Sequence, residues 1–198
     1  MIPIQGERFQ DLCSVQISKL EHKRFESTSD SIDIDDFDFT NYDNAELVYV
    51  NSALLNTAKP KLVESKLYDK LSEFKNPFRL VLHNSDDEFG EKQLKYLDIP
   101  NCKKIFTQNM NVKHPQVKPL PIGMANSVWK WGDSKIMDEV INEGYSDINP
   151  YYIYANFSKG DGLRYERRSK CYDMVVKEKI PFQEHTDYKS YLQELKQY

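Results

Sequence analysis

The sequence predicts an α/β fold in which helices flank a parallel sheet. From about residue 47 onward, short apolar runs typical of strands alternate with segments whose apolar residues recur at helical spacing. Hydrophobic residues make up 39% of the 198-residue chain and aromatic residues 13%, which is enough bulk for a packed core. These observations exclude a fibrous protein and a chain that is disordered throughout.

The first predicted elements alternate between strand and helix. Leu47–Val50 is an uninterrupted apolar run and predicts a buried strand. A helix follows Pro60, which a first helical turn tolerates, and Asn76–Pro77 ends it. The apolar positions of that helix recur every three or four residues: Val63, Leu67, Leu71 and Phe74. The next predicted elements are a strand over 78–83, a short helix with Leu94 and Leu97, and a strand over 104–107.

The later elements indicate a division of the chain into two domains, 1–148 and 149–198. Val117–Ile122 carries two prolines and predicts an edge strand. Asp133 caps a predicted helix, Gly144 ends it, and Asn149–Pro150 then interrupts the chain. The elements predicted after this point are a strand over 151–155, a helix over 163–177 with Cys171, Met174 and Val175 on its inner face, a strand over 180–182, and a last helix capped by Asp187.

Charge and cysteine content narrow the class of protein. Lys and Arg number 27 against 31 Asp and Glu, so the formal charge is -4 and neither nucleic acid nor a membrane surface is an expected partner. We find no signal peptide and no apolar run long enough for a membrane span. The three cysteines lie far apart without metal-ligand spacing, as expected for reduced core thiols in a cytoplasmic protein.

The most informative polar segment follows the predicted strand that ends at His83. The carboxyl ends of parallel strands form the edge at which open α/β sheets bind ligands. His83 and Asp86 are candidate general bases at this edge, and Asn84 and Ser85 are candidates for orienting hydroxyl groups. The same residue types also form ordinary turns and caps after a strand, so both interpretations stay open.

Two further segments follow neighbouring strands and would face the same cleft in a doubly wound sheet. One contains Gln108 and Asn109, and the other runs from Gly123 through Trp129 to Trp131. Either tryptophan offers an indole face that suits stacking on a sugar ring. The alternative is that both indoles pack as a lid over the core.

A third segment, Ser158–Gly162, lies between a predicted strand and a predicted helix. Backbone N–H groups at the start of a helix bind phosphate, and three of the chain's six arginines follow at positions 164, 167 and 168. Because arginine suits bidentate contacts with phosphate, the segment is a candidate diphosphate site. The alternative is a solvated basic helix face.

Two acidic pairs, Asp33-Ile-Asp35 and Asp36-Phe-Asp38, match a pattern that holds a divalent cation on a nucleotide diphosphate. Such a short pattern arises easily in an acidic segment. A solvated acidic strand or loop is therefore the favoured interpretation.

Four blocks of the sequence, in this order, resemble a known family: Val81–Asp86, Phe106–Asn109, Leu120–Trp129 and Tyr154–Ser158. They resemble exostosin-like glycosyltransferases, especially those of large DNA viruses. The resemblance implies two Rossmann-like domains in the GT-B arrangement, with the acceptor held mainly by the first domain and the nucleotide-sugar mainly by the second. It also implies sugar transfer to an acceptor hydroxyl without a metal ion or other cofactor.

The resemblance also implies roles for individual residues. Asp86 or His83 would deprotonate a glycan or glycoprotein acceptor, in the host cytoplasm if the protein is viral. The other acceptor-side residues would bind substrate: Asn84, Ser85, Gln108, Asn109, Gly123, Asn126 and Trp129. The donor diphosphate would meet Ser158, Lys159, Arg164 and Arg167.

One departure from the family concerns the donor side. The family continues into a Glu-Gly-Asn-Gly stretch and a downstream Arg and Glu that hold the donor nucleotide, and this sequence contains none of them. We therefore expect an incomplete second domain and an inactive fragment. The alternative function is a non-catalytic carbohydrate- or protein-binding module with the same fold.

Overall fold

The computed structural model describes residues 4–17, 42–55, 61–127, 129–144, 153–159, 162–183 and 187–196. Contacts divide the chain into two compact units, Ile2–Gly132 and Asp133–Tyr198. The boundary that we predicted between residues 148 and 149 lies outside the described residues.

The first unit is a five-stranded sheet in which neighbouring strands are parallel. In chain order the strands are β1 (Val15–Ile17), β2 (Leu47–Asn51), β3 (Phe78–His83), β4 (Cys102–Thr107) and β5 (Val117–Pro119). They also lie side by side in chain order, so the strand order does not reverse within this sheet as it does in a doubly wound one. The predicted Rossmann-like α/β arrangement is confirmed. β5, which contains Pro119 and ends before Pro121, is the predicted edge strand.

Helices cover both faces of this sheet. On one face, α2 (Lys61–Ser72) and a 3₁₀ helix over Glu91–Asp98 pack on the larger core. That core includes buried side chains of both layers: Val48, Val50, Leu67, Leu71, Leu80, Leu82, Tyr96 and Ile105. On the other face, Phe9 of α1 (Gly6–Asp11) packs against Tyr49 and Val81. Successive strand residues thus point to opposite faces, as the pleat of a strand requires.

The structure differs from the sequence prediction in several short segments of this unit, which include 3₁₀ helices over Tyr42–Asn44 and Ser52–Leu55. α1 and β1 were not predicted, because six and three residues are too short to show a periodic pattern. The short helix predicted around Leu94 and Leu97 is a 3₁₀ helix, and its fully buried residue is Tyr96. A 3₁₀ helix has three residues per turn, so its buried stripe differs from that of an α-helix.

The second unit combines helices with a two-stranded parallel sheet. β6 (Ala155–Asn156) pairs with β7 (Phe182–Gln183), and α4 (Gly162–Lys177) lies between them in the chain. α3 (Ser134–Asn142) packs against α5 (Tyr188–Leu195). Lys189 of α5 forms ion pairs with Glu139 at 3.4 Å and Glu143 at 3.1 Å. The predicted N-caps of α3 and α5 are confirmed, since Asp133 and Asp187 accept hydrogen bonds from the first turns.

The inner face that we predicted for the helix over 163–177 is wrong at two of its three positions. Val175 is buried, but Cys171 and Met174 are exposed. The two short strands of this unit offer too little apolar surface to cover a whole helix face. Within the described part of the chain, no helix has the length and apolar content needed to cross a membrane.

Candidate functional site

Polar segments that follow β3 and β4 meet at the carboxyl edge of the sheet. β3 ends at His83 and β4 ends at Thr107. Backbone hydrogen bonds join the two segments: the N–H of Phe89 donates to the Asn109 carbonyl at 3.1 Å, and the N–H of Asn111 donates to the Phe89 carbonyl at 2.9 Å. The structure therefore brings together the two segments that the sequence predicted would face one cleft.

Asn84 is the centre of a hydrogen-bonded network at this edge. Its backbone is left-handed, with φ of 64°, a conformation that asparagine tolerates better than most residues. Its side-chain Nδ2 donates to the hydroxyl of Tyr49 at 2.6 Å, and its Oδ1 accepts from Nδ2 of Asn126 at 3.1 Å. Its backbone N–H donates to Oε1 of Gln108 at 3.1 Å. Asn84 thus ties the loop after β3 to β2, to the end of β4 and to the segment after β5.

The loop that contains Asp86 is held on both sides. The carbonyl oxygen of Ser85 accepts from Nε2 of Gln108 at 3.2 Å and from Nδ2 of Asn109 at 2.9 Å. The Ser85 hydroxyl donates to the carboxylate of Asp87 at 2.7 Å and accepts from the Asp87 N–H at 3.0 Å. Asp86 lies between these two residues and is exposed. Its carboxylate is therefore carried on a loop whose backbone is fixed.

His83, a candidate general base in the sequence, is buried and does not have the accessible position that this role requires. The side chain is 2% exposed, and its ring packs with a centroid 5.1 Å from that of Phe9. Nδ1 lies 3.2 Å from Oδ1 of Asn84, and Nε2 lies 3.1 Å from the carbonyl oxygen of Pro121. A substrate has no access to these nitrogens, so Asp86 is the remaining candidate base at this edge.

The N-terminal turn of the chain, which the sequence did not reveal, completes the carboxyl edge. The backbone N–H of Glu7 donates to Oδ1 of Asn126 at 3.0 Å. The Glu7 carboxylate accepts from the N–H and the hydroxyl of Ser127, at 3.2 Å and 3.0 Å. The buried side chain of Gln5 donates to two backbone carbonyls of segment 125–132, at 2.7 Å and 3.0 Å. These hydrogen bonds thus hold the N-terminal turn and the segment after β5 together, although the two are far apart in the sequence.

Two glycines are required by close backbone packing at this edge. A Cβ at Gly6 would lie 1.8 Å from Oδ1 of Asn84 and 2.6 Å from Nδ1 of His83. Gly123 has φ of 68°, and a Cβ there would lie 2.3 Å from the carbonyl oxygen of Ile4. Both positions therefore exclude a side chain, which explains Gly123 without a contact to substrate.

Trp129 and Trp131 lie next to the amide network and are partly exposed, by 44% and 39%. The backbone N–H of Trp129 donates to the carbonyl oxygen of Asn126 at 2.9 Å. Nζ of Lys130 lies 4.4 Å from the centre of the Trp131 ring. Both predicted roles, stacking on a ligand and packing as a lid, are compatible with this partial exposure.

The predicted diphosphate residues belong to the second unit. Ser158 is exposed, and its carbonyl oxygen accepts from Nη1 of Arg168 at 2.8 Å. Nζ of Lys159 lies 3.5 Å from the centre of the Tyr172 ring. The other two predicted residues lie in the first two turns of α4, with side chains outside the described part of the chain: Arg164 and Arg167.

The other candidate sites give weaker indications of a function. The acidic pairs over residues 33–38 lie outside the described residues. Within the described ranges, no group of three His, Cys, Asp or Glu side chains comes together. A shallow depression lies at the amino edge of the sheet, opposite the amide network, and Arg79 faces Glu46 there at 3.9 Å.

The carboxyl edge presents groups that suit a ligand rich in hydroxyls. Carboxylate and amide groups exchange hydrogen bonds with hydroxyls, and an indole covers the C–H face of a sugar. Asp86, Asn109 and Trp129 are exposed in this region.

Comparison with known proteins does not assign the chain to a family. No protein-family model matches the chain, and no curated protein matches it. The side chains at the carboxyl edge are therefore the basis on which a function is proposed below.

Proposed function

We propose that the first unit binds the acceptor in a glycosyl transfer of the exostosin-like type, in which a sugar moves from a nucleotide-sugar to an acceptor hydroxyl. Asp86 takes the proton of the attacking hydroxyl. A sugar hydroxyl is a poor nucleophile until it loses that proton, and positioned proton transfer contributes about 10² to 10⁴ in rate. The observation that carries the proposal is the exposed residue Asp86 on a loop fixed by Gln108 and Asn109.

The acceptor-side residues divide into two groups under this proposal. Asn84, Gln108 and Asn126 already bond one another or the backbone, so they position the Asp86 loop. Asn109 also fixes this loop through its Nδ2, but it is exposed, and together with the exposed Trp129 it contacts the acceptor glycan directly.

The donor diphosphate is assigned to the loop between β6 and α4. Lys159 supplies positive charge, and the start of the 16-residue α4 supplies N–H groups that attract phosphate. These groups stabilise the negative charge that develops on the leaving diphosphate. Because Cys13 and Cys102 are buried free thiols, we place the reaction in a reducing compartment, the cytoplasm.

Substitution of Asp86 tests the proposal. Sugar transfer from a panel of nucleotide-sugars to glycan acceptors is measured in a full-length context that supplies the rest of the donor-side domain, for the wild type and for Asp86→Asn. Glycan binding by the chain itself is followed by saturation-transfer NMR. We expect Asp86→Asn to lower transfer by about 100-fold or more and to keep glycan binding and melting temperature. Asp98→Asn is the matched control, since Asp98 is an exposed aspartate that ends the 3₁₀ helix. Transfer by Asp86→Asn at the wild-type rate would contradict the proposal.

A carbohydrate-binding module without activity is the second candidate function. The self-contained hydrogen bonding of Asn84, Gln108 and Asn126 favours it, because a rigid binding surface needs no base. Glycan binding by the wild-type chain, with no transfer from any nucleotide-sugar of the panel in the full-length context, would establish this function and overturn the transferase proposal.

A further inference from the structure

One side chain of the N-terminal turn holds both ends of the segment that carries the two tryptophans. We call this segment, from Ala125 to Gly132, the tryptophan turn. The buried side chain of Gln5 donates from Nε2 to the carbonyl oxygen of Ala125 at 2.7 Å and to that of Gly132 at 3.0 Å. A single amide group therefore fixes the distance between the two ends of the tryptophan turn.

Glu7 holds the tryptophan turn at a second point. Its carboxylate accepts from the backbone N–H of Ser127 through Oε1 at 3.2 Å and from the Ser127 hydroxyl through Oε2 at 3.0 Å. Hydrogen bonds to a charged acceptor are stronger than those to a neutral one. The contact with Oδ1 of Asn126, at 3.0 Å, comes instead from the backbone N–H of Glu7. The Glu7 side chain thus acts on the tryptophan turn, and its backbone acts on the amide network.

Backbone hydrogen bonds within the tryptophan turn connect these restraints to Trp129. The N–H of Trp129 donates to the carbonyl oxygen of Asn126 at 2.9 Å, and the N–H of Gly132 donates to the carbonyl oxygen of Trp129 at 2.9 Å. A Cβ at Gly132 would lie 2.1 Å from the carbonyl oxygen of Asn126, so the turn is too tight for a side chain there. The position of the Trp129 backbone therefore depends on the contacts of Gln5 and Glu7.

We propose that Glu7 is a positioning residue for the acceptor, which acts through Ser127 and holds the indole of Trp129 in the orientation that stacks on a sugar ring. The inference rests on the proposed function, which assigns Trp129 to the acceptor. A side chain that is already fixed loses less conformational entropy on binding than a mobile one. Glu7 therefore contributes to acceptor affinity, whereas Asp86 contributes to the chemical step.

The affinity and the chemical step should respond to different substitutions. The loop that carries Asp86 is held by Gln108 and Asn109, and Glu7→Ala keeps the backbone N–H that bonds Asn126. In the full-length context, we expect Glu7→Ala to raise KM for the acceptor about tenfold and to leave kcat unchanged, the reverse of Asp86→Asn. A tenfold change equals about 1.4 kcal/mol, the scale of one hydrogen bond.

NMR of the full 198-residue chain tests the inference. In Glu7→Ala without ligand, the indole ¹⁵N signal of Trp129 should shift and its heteronuclear NOE should fall, while the backbone amides of Asp86 and Asn109 keep their wild-type shifts. On titration with maltotriose, cellotriose and chitotriose, the Kd of a trisaccharide that binds the wild type should rise about tenfold. Asp11→Ala is the matched control, because Asp11 is an exposed acid at the end of the same helix. An unchanged indole signal or an unchanged Kd in Glu7→Ala would overturn the inference.

A conservative variant separates positioning from a general effect of charge. In Glu7→Gln the amide oxygen accepts from the N–H of Ser127, and the amide NH₂ donates to the Ser127 hydroxyl, which accepts as well as donates. This variant should keep the wild-type indole signal of Trp129 and most of the affinity that Glu7→Ala loses. Equal losses in Glu7→Gln and Glu7→Ala would contradict positioning through Ser127.

Failure of the proposed function gives a different result from failure of the inference. If the wild-type chain binds none of the three trisaccharides, the proposed function is contradicted, and the acceptor role of Glu7 fails with it. If the wild-type chain binds one of them and Glu7→Ala binds it with the same Kd, the inference alone is overturned.

Discussion

Gly6 lies closer to the amide network than any larger residue allows. A Cβ at this position would lie 1.8 Å from Oδ1 of Asn84, so Gly6→Ala forces the helix or the loop to shift. We expect the free energy of unfolding to fall by about 1 to 3 kcal/mol, the usual cost of overpacking, in a chemical denaturation experiment. Gly90→Ala is the matched control, because the nearest atom to its Cβ would be Oε1 of Gln93 at 3.6 Å. Equal stability of the two variants would argue against the close approach of α1.

Because two thiols are buried, the stability of the fold should depend on pH in the alkaline range. Burial raises the pKa of Cys13 and of Cys102 from the ordinary value of 9.0 to about 12. Between these two values the unfolded chain loses thiol protons that the folded chain retains, so unfolding becomes more favourable as pH rises. The free energy of unfolding should therefore fall from pH 9.0 toward about 12.

A double variant isolates the thiol contribution from that of other groups. Cys13→Ala combined with Cys102→Ala should show a weaker alkaline loss of stability than the wild type, since its unfolded chain has fewer thiols to ionise. Cys171→Ser is the control, because Cys171 is exposed in the folded chain. A double variant with the full wild-type pH dependence would show that the buried thiols do not cause it.

At the scale of elements, the sequence pattern predicted the strands that are buried on both faces, but it did not predict the short elements. β2 and β3 appear as nearly continuous apolar runs, which is the pattern of parallel strands covered on both sides, and β4 has a shorter apolar stretch at Ile105 and Phe106. α1 and β1 have too few residues for such a pattern.

The missed helix α1 is also the reason why the position of His83 was not predictable. Strand alternation places His83 on the same face as Val81, and α1 covers that face. When α1 is not predicted, the sequence suggests that this face of the sheet is uncovered and that a histidine at the end of the strand is accessible. The positions of Asp86, Gln108 and Asn109 near the sheet edge followed from strand order alone, whereas the contacts of Glu7 and Gln5 had no local signal.

The 3₁₀ geometry of Glu91–Asp98 determines which residue of this element packs into the core. Tyr96 is fully buried, and its ring meets that of Tyr68 of α2 with centroids 5.6 Å apart. We expect Tyr96→Ala to lower the free energy of unfolding by about 3 to 5 kcal/mol, as for other large aromatic residues in a core. Lys92→Ala is the control on the exposed side of the same element. A small loss for Tyr96→Ala in chemical denaturation would contradict the 3₁₀ register.

At the scale of the whole molecule, the proposed function is divided between two units. Every residue of the amide network belongs to Ile2–Gly132, whereas the proposed diphosphate residues belong to Asp133–Tyr198. Under the proposed function, side chains of the first unit bind the acceptor and residues of the second unit bind the diphosphate.

Chemical-shift mapping of glycan binding tests the central claim most directly. The chain has two tryptophans, so its ¹⁵N spectrum holds two indole signals, and Trp129→Phe assigns them. On titration with oligosaccharides, the indole of Trp129 and the backbone amides of Asp86 and Asn109 should shift together and saturate with a Kd of about 1 mM or below. An absence of shifts at these positions, or shifts confined to Arg79 and the rest of the amino edge, would contradict an acceptor site at the carboxyl edge.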